Sequence, residues 1–228
     1  MESEGLKKLG SDINRILNEK KGEHLDKVIE KSIVDKIILT EILQGLKSKN
    51  ETFRYNCFKV LSQISKTQPL LLYPEWEYFL NLLSSPNSYH RISAINILSH
   101  LTQIDTGKKF DLIFEQYFHH LNDESMIVAR YLAASAGKIA RAKPYLQNKI
   151  VEKLLEIDST HHEEGRKDLI KYDIIQSLSE IFEGITEKER IFNFVEKQVG
   201  CSSPKTRKAA KEFLKRFDKK SAGSDRNL

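Results

Sequence analysis

Residues 48–64 read SKNETFRYNCFKVLSQI and residues 85–101 read SPNSYHRISAINILSHL. With Arg54 laid on Arg91, each stretch is a polar turn, a basic residue, and then core-type residues three, six, seven and ten positions on. These are Cys57, Val60, Leu61 and Ile64 in the first and Ala94, Ile97, Leu98 and Leu101 in the second. Such offsets share one side of an α-helix and do not alternate as a strand would. The register returns after Arg130 (Ala133, Ala136, Gly137, Ala140), Lys171 (Ile174, Ser177, Leu178, Ile181) and Arg207 (Ala210, Phe213, Leu214, Phe217). Successive anchors lie 37, 39, 41 and 36 residues apart, inside the range of two-helix repeats.

A first helix precedes each anchored one. Leu39, Ile42, Leu43 and Leu46 match Trp76, Phe79, Leu80 and Leu83 in register; Phe114, Tyr117, Phe118 and Leu121, then Ile150, Leu154 and Leu155, then Phe192, Val195 and Val199 follow with small drifts. The turns between them, SKNET (48–52), SSPNS (84–88), LNDES (121–125) and CSSPK (201–205), hold helix-capping residues and prolines suited to an early helical position. The fourth unit instead carries the longer, charged DSTHHEEGRKD (158–168).

Composition agrees. With 10 Gly and 5 Pro in 228 residues there are too few turn residues for an all-β sandwich or barrel. Two cysteines 144 positions apart form neither a disulfide framework nor a zinc-ligand set and point to a reducing compartment. No apolar run suits a membrane span, and MESEGLKKLGSD lacks the apolar core of a signal peptide. The expected address is cytoplasmic, with no membrane partner.

The pattern resembles HEAT repeats, the armadillo-like helical solenoids in which a polar turn leads into a second helix opening with Arg or Lys. The resemblance covers residues 33–220. It implies an all-α, right-handed α-α superhelix of about five helix pairs, with residues 1–32 as an N-terminal helical cap or atypical first repeat and 221–228 as a disordered tail. It also implies that Arg54, Arg91, Arg130 and Arg207 bond to acidic or carbonyl groups of neighbouring repeats, a role that Lys171 fills less well for want of a planar fork. Glycine at 137, among alanines, is expected where two helices approach most closely.

Catalytic signatures are absent: there is no Gly-rich phosphate loop, HExxH, GxSxG or paired CxxC. His119, His120, His161 and His162 read as solvated polar residues, because adjacent helical residues diverge by about 100° and rarely ligate one ion. Cys57 falls on a core offset. Cys201 opens a helix but has no base beside it. No metal or cofactor is expected.

Once offsets 3, 6, 7 and 10 are buried, offsets 1, 5 and 8 are left to face the concave side that second helices line in this family. They include Tyr55, Lys59, Ile92, Asn96, Tyr131, Ser135, Lys138, Tyr172 and Gln176. Tyrosines among amides and hydroxyls suit a protein or peptide partner. A non-catalytic scaffold or adaptor is therefore expected. The alternative is a nucleic-acid binder related in build to HEAT-like alkylpurine DNA glycosylases. It would use the terminal basic run, in which Lys208, Lys211, Lys215 and Arg216 belong to a segment (205–220) with eight basic residues against Glu212 and Asp218. The same run also reads as the solvated face of an end cap. The single Trp76 sits on a core offset, which argues against a glycosylase base pocket. HEAT-like lyases that attach bilin chromophores share the build, with no residue here carrying the likeness.

Overall fold

The computed structural model describes residues 2–224, with side chains described for 10–217. Among these residues every regular element is an α-helix or a 3₁₀ turn, and none is a strand. The chain forms two compact units, one ending at Ile104 and one beginning at Asp105.

The first unit contains α1 (Glu2–Leu17), α2 (Leu25–Val34), α3 (Lys36–Gly45), α4 (Glu51–Thr67), α5 (Pro69–Leu72), α6 (Trp76–Leu83) and α7 (Ser88–Leu101). Here α4 packs on α2, α3 and α7, and α6 packs on α7. Ile42, Leu61, Ile64, Trp76 and Phe79 are almost fully buried in its core. The proposed start of the repeats at residue 33 falls inside α2. The N-terminal helices are fastened to α4 by Asn56, whose amide donates to the Leu17 and Glu19 carbonyls at 2.9 and 3.0 Å. Those carbonyls lie at and just past the end of α1, where a helix has no partners of its own.

The second unit contains α8 (Lys109–His119), α9 (Met126–Ala142), α10 (Gln147–Leu155), α11 (Glu164–Ile181), α12 (Lys188–Lys197) and α13 (Pro204–Ser224). The longer helices pack in sequence, α9 on α11 and α11 on α13, with α10 and α12 set against this row. At Gly137 the backbones of α9 and α11 are close, since a Cβ there would stand 3.1 Å from both the Cα and the carbonyl oxygen of Ser177. The expected tail start at 221 falls inside α13; 225–228 lie outside the described residues.

On the second helices all positions of the register are buried except Leu214, which is half-buried, and on the first helices Leu80, Leu155, Phe192 and Val199 are half-buried too.

Arg130 meets the expectation by pairing with Asp173 of the next repeat, whereas Arg54, Arg91 and Arg207 bond carbonyls in a different place from the one expected. Arg54 Nη1 donates to Ser48 O at 2.8 Å, Arg91 Nη1 to Ser85 O and Pro86 O at 2.8 and 2.9 Å, and Arg207 Nη1 to Cys201 O and Ser202 O at 2.8 Å each. Each guanidinium thus hydrogen-bonds the turn before its own helix, six or five residues back, and Arg54 also lies over the Tyr89 ring of α7 at 4.5 Å. Helical side chains lean toward the N-terminus, so an anchor one turn past the cap meets carbonyls that no helix bonds. The caps are Asn50 on Phe53 N (3.1 Å) and Asn87 on Tyr89 N (2.9 Å), with Ser203 on Thr206 N (3.3 Å) in the last unit. Arg130 stands five residues past the helix start at Ser125 and crosses to α11, with its Nε 2.6 Å from Asp173 Oδ2. Lys171 is buried against Asp158 at 2.6 Å.

Candidate functional site

Exposed stripes run along the second helices of each unit. In the first unit Tyr55 on α4 is 54% exposed, with Lys59 Nζ 4.9 Å from its ring centre. Ser62 Oγ donates to Asn96 Oδ1 of α7 at 2.6 Å, so two of these polar positions satisfy each other. Ile92 does not belong to the surface. It is only 7% exposed, and α7 beyond it is buried except at Asn96.

In the second unit α9 shows Tyr131, Ala134 and Lys138, and α11 shows Tyr172, Gln176 and Ser179, all exposed or half-buried. Ser135 is the second correction. It is 2% exposed and hydrogen-bonds the phenol of Tyr117 on α8. Burial pushes the Tyr117 hydroxyl well above its ordinary pKa, and a buried phenol requires a partner. Ala134 takes the outward place that Ser135 was expected to fill.

Ion pairs cross the two helices of this face: Arg130 with Asp173, and Arg141 with Glu180. Burial raises the Asp173 pKa, the Arg130 contact offsets part of that rise, and the hydrogen bond to Asp173 raises that of Arg130. On the α13 side, Lys205 Nζ lies 3.8 Å from the Tyr172 ring centre and Arg216 Nη1 donates to Ser179 Oγ at 3.3 Å.

Of the basic run, Lys208, Lys211, Lys215 and Arg216 are all exposed. The three lysines line a shallow groove with Pro204, Arg207 and Glu212, on the side of α13 opposite the buried Ala209, Ala210, Phe213 and Phe217. Arg216 stands apart from them, turned toward α11.

The groups with chemical potential are committed to structure. His161 donates from both its backbone N and Nδ1 to Asn122 Oδ1 (2.8 and 2.6 Å), and His162 Nε2 donates to Leu121 O at 3.2 Å, so the 158–163 connector is bound to the turn after α8. Cys57 is buried and its thiol pKa is pushed up to about 12. No group of three or more metal-ligating side chains occurs among the described residues. No helix among them is long and apolar enough to cross a membrane.

One buried charged cluster escaped the repeat reading. Lys143, 3% exposed at the end of α9, lies 2.9 Å from Asp105 Oδ2, and its Nζ also contacts Asp105 O and Tyr145 Oη at 3.3 Å each. Its three ammonium donors are thereby occupied. Burial alone would lower the Lys143 pKa, but the bonds to Asp105 and Tyr145 hold it above the ordinary value. Asp105 in turn accepts Lys109 N and Phe110 N at 2.9 Å each, so the pair fastens the end of α9 to the start of α8. A lysine between Ala142 and Pro144 gives little sign of this in sequence; its signal is the Asp105 that precedes a helix start.

No protein-family model matches the chain, and no curated protein matches it. Among solved structures, the crystal structure of an engineered protein aligns with a TM-score of 0.48 at 14% identity, covering 91% of this chain and 97% of that one.

Proposed function

We propose that the chain is a non-catalytic, HEAT-like solenoid scaffold, a right-handed superhelix of about five helix pairs that holds a protein or peptide segment along its second helices. The reading rests on one observation above all. Tyr131 and Tyr172, on adjacent helices of the second unit, stay half-exposed beside Lys138 and the exposed Gln176 while the rest of each helix is largely buried. Large rings with two rotatable bonds offer contact area at low entropic cost, and amide and ammonium groups beside them supply directional bonds. Tyr55 and Lys59 offer a similar pair in the first unit. The helix-pair order, the buried register and the caps at the turns support the HEAT-like reading. The absence of catalytic motifs from the sequence and the structural commitment of Lys143, His161 and His162 support a binding role over catalysis. Two free thiols suit a cytoplasmic setting.

The experiment is affinity capture with the parent chain and with a Tyr55→Ala, Tyr131→Ala, Tyr172→Ala variant, helicity being matched by circular dichroism. The expected result is loss of the principal captured protein from the variant. Undiminished capture by a folded variant places the partner elsewhere.

A further inference from the structure

We propose that α13 carries a second binding surface, for the phosphate backbone of a nucleic acid, built from two cationic rows of which the inner one borders the proposed protein-binding face on α11. The inner row is Lys205 and Arg216. Both are held in place, Lys205 over the Tyr172 ring at 3.8 Å and Arg216 on Ser179 Oγ at 3.3 Å. An aromatic face and a hydroxyl fix where a cation stands without cancelling its charge. The carboxylate that senses Lys205 is Asp173, which is already bonded to Arg130.

The outer row is Lys208, Lys211 and Lys215, spaced three and four residues apart, exposed, and directed away from the core along a shallow groove that Arg207 also lines. At about 1.5 Å of rise per residue the outer row spans about 10 Å and the whole set about 16 Å, enough to meet several phosphates. The acid in the groove, Glu212, is 3.9 Å from Lys208 with both side chains mostly exposed, so their attraction is small.

An end cap needs polarity, which mixed signs would supply. A single-sign row instead opposes the helix that bears it: like charges three and four residues apart repel, and Lys205 and Lys208 occupy the first turns, where the helix dipole disfavours cations. Phosphates would relieve both. Apart from Pro204 the residues that line the groove are charged, so it holds no large apolar or aromatic side chain of the kind that enters a bilayer or anchors a protein partner. A lining of charged side chains without a large apolar anchor fits a ligand recognised chiefly by charge, which is a nucleic-acid backbone.

The test uses fluorescence anisotropy of the full chain with a labelled RNA strand and a DNA duplex, each of about 20 nucleotides or base pairs, across about 50 to 200 mM salt. Binding is expected with a log–log salt slope between about −3 and −4.5 for the duplex. The triple variant Lys208→Gln, Lys211→Gln, Lys215→Gln should bind at least about tenfold more weakly at the low-salt end, with a slope flatter by about two to three. Tyr131→Ala should leave nucleic-acid binding unchanged, which separates this surface from the proposed protein-binding face. The proposal is overturned by no binding at the low-salt end, by a folded triple variant that binds like the parent, or by tighter binding to polyglutamate or phosphatidylserine vesicles than to either nucleic acid.

Discussion

The hydroxyl of Ser177 on α11 donates to the carbonyl oxygen of Ala133 on α9 at 2.5 Å, one turn from the point where Gly137 lets the two helices touch. A polar side chain at a core offset is thereby satisfied by a backbone group of the neighbouring helix, so the one serine in the buried register costs no unpaired donor.

Gly137→Ala should destabilise the fold even though alanine favours a helix by about 1 kcal/mol. The new methyl would lie 3.1 Å from Ser177 backbone atoms that cannot step aside and 2.7 Å from the movable Glu180 carboxylate. Gly137→Leu should cost more, about 3 kcal/mol or above. Thermal melts of both variants decide it, and an unchanged Tm for Gly137→Leu would show the contact to be loose.

Arg91→Ala and Arg130→Ala should differ. The first leaves two turn carbonyls, partly open to water, without a donor, at a cost of about 1 kcal/mol. The second strands the buried Asp173 carboxylate and should cost about 2 kcal/mol or more, the half-exposed arginine limiting the loss. Urea midpoints would rank them, and adding Asp173→Asn to Arg130→Ala should recover part of the loss. Equal costs would mean that the inter-helix pair is worth no more than a turn clamp.

Stability should fall in mild acid through His162. Its folded pKa is lowered, chiefly by burial, with His161 and Arg166 adding repulsion while the Leu121 carbonyl bond and Asp123 oppose the shift. The unfolded chain therefore binds the proton more readily. The contribution is present above the unfolded pKa of about 6.5 and is lost as pH drops below it toward the depressed folded value. Urea melts at about pH 7.5 and 5.5 measure the slope. His162→Gln should reduce the loss between those two pH values; an identical slope would assign it to other groups, His90 first, whose pKa burial and Arg54 also lower.

Lys143→Ala should be among the most damaging single changes, about 3 to 5 kcal/mol, because it leaves Asp105 buried without its cation. Lys143→Met combined with Asp105→Asn should recover much of that loss. A mild effect of Lys143→Ala alone, read by chemical denaturation, would mean that water reaches Asp105.

The helical register was legible because burial repeats it: Leu61, Leu98 and Leu178 are each fully buried. The surface was less so. Ser135 and Gln176 share an offset, yet one is buried and the other exposed, since what decides is the demand of Tyr117 on a different helix, a contact that no single-helix pattern contains. Arg54, Arg91 and Arg207 misled for a related reason, while Arg130 crossed as expected. Their spacing from the cap is visible in sequence, but whether a guanidinium turns back or crosses over depends on one residue of turn length, as Arg91 and Arg130 show.

Arg54, Arg91 and Arg207 each hydrogen-bond their own turn, so that clamp travels with its helix if the unit is duplicated or transplanted, although Tyr89 under Arg54 and Asp168 bonded to Ser202 and Thr206 tie two of these starts to neighbouring helices. The α9–α11 pair has lost that independence. Arg130 with Asp173, and Gly137 with Ser177, fit each other across the contact, so these two helices must be inherited, exchanged or engineered together.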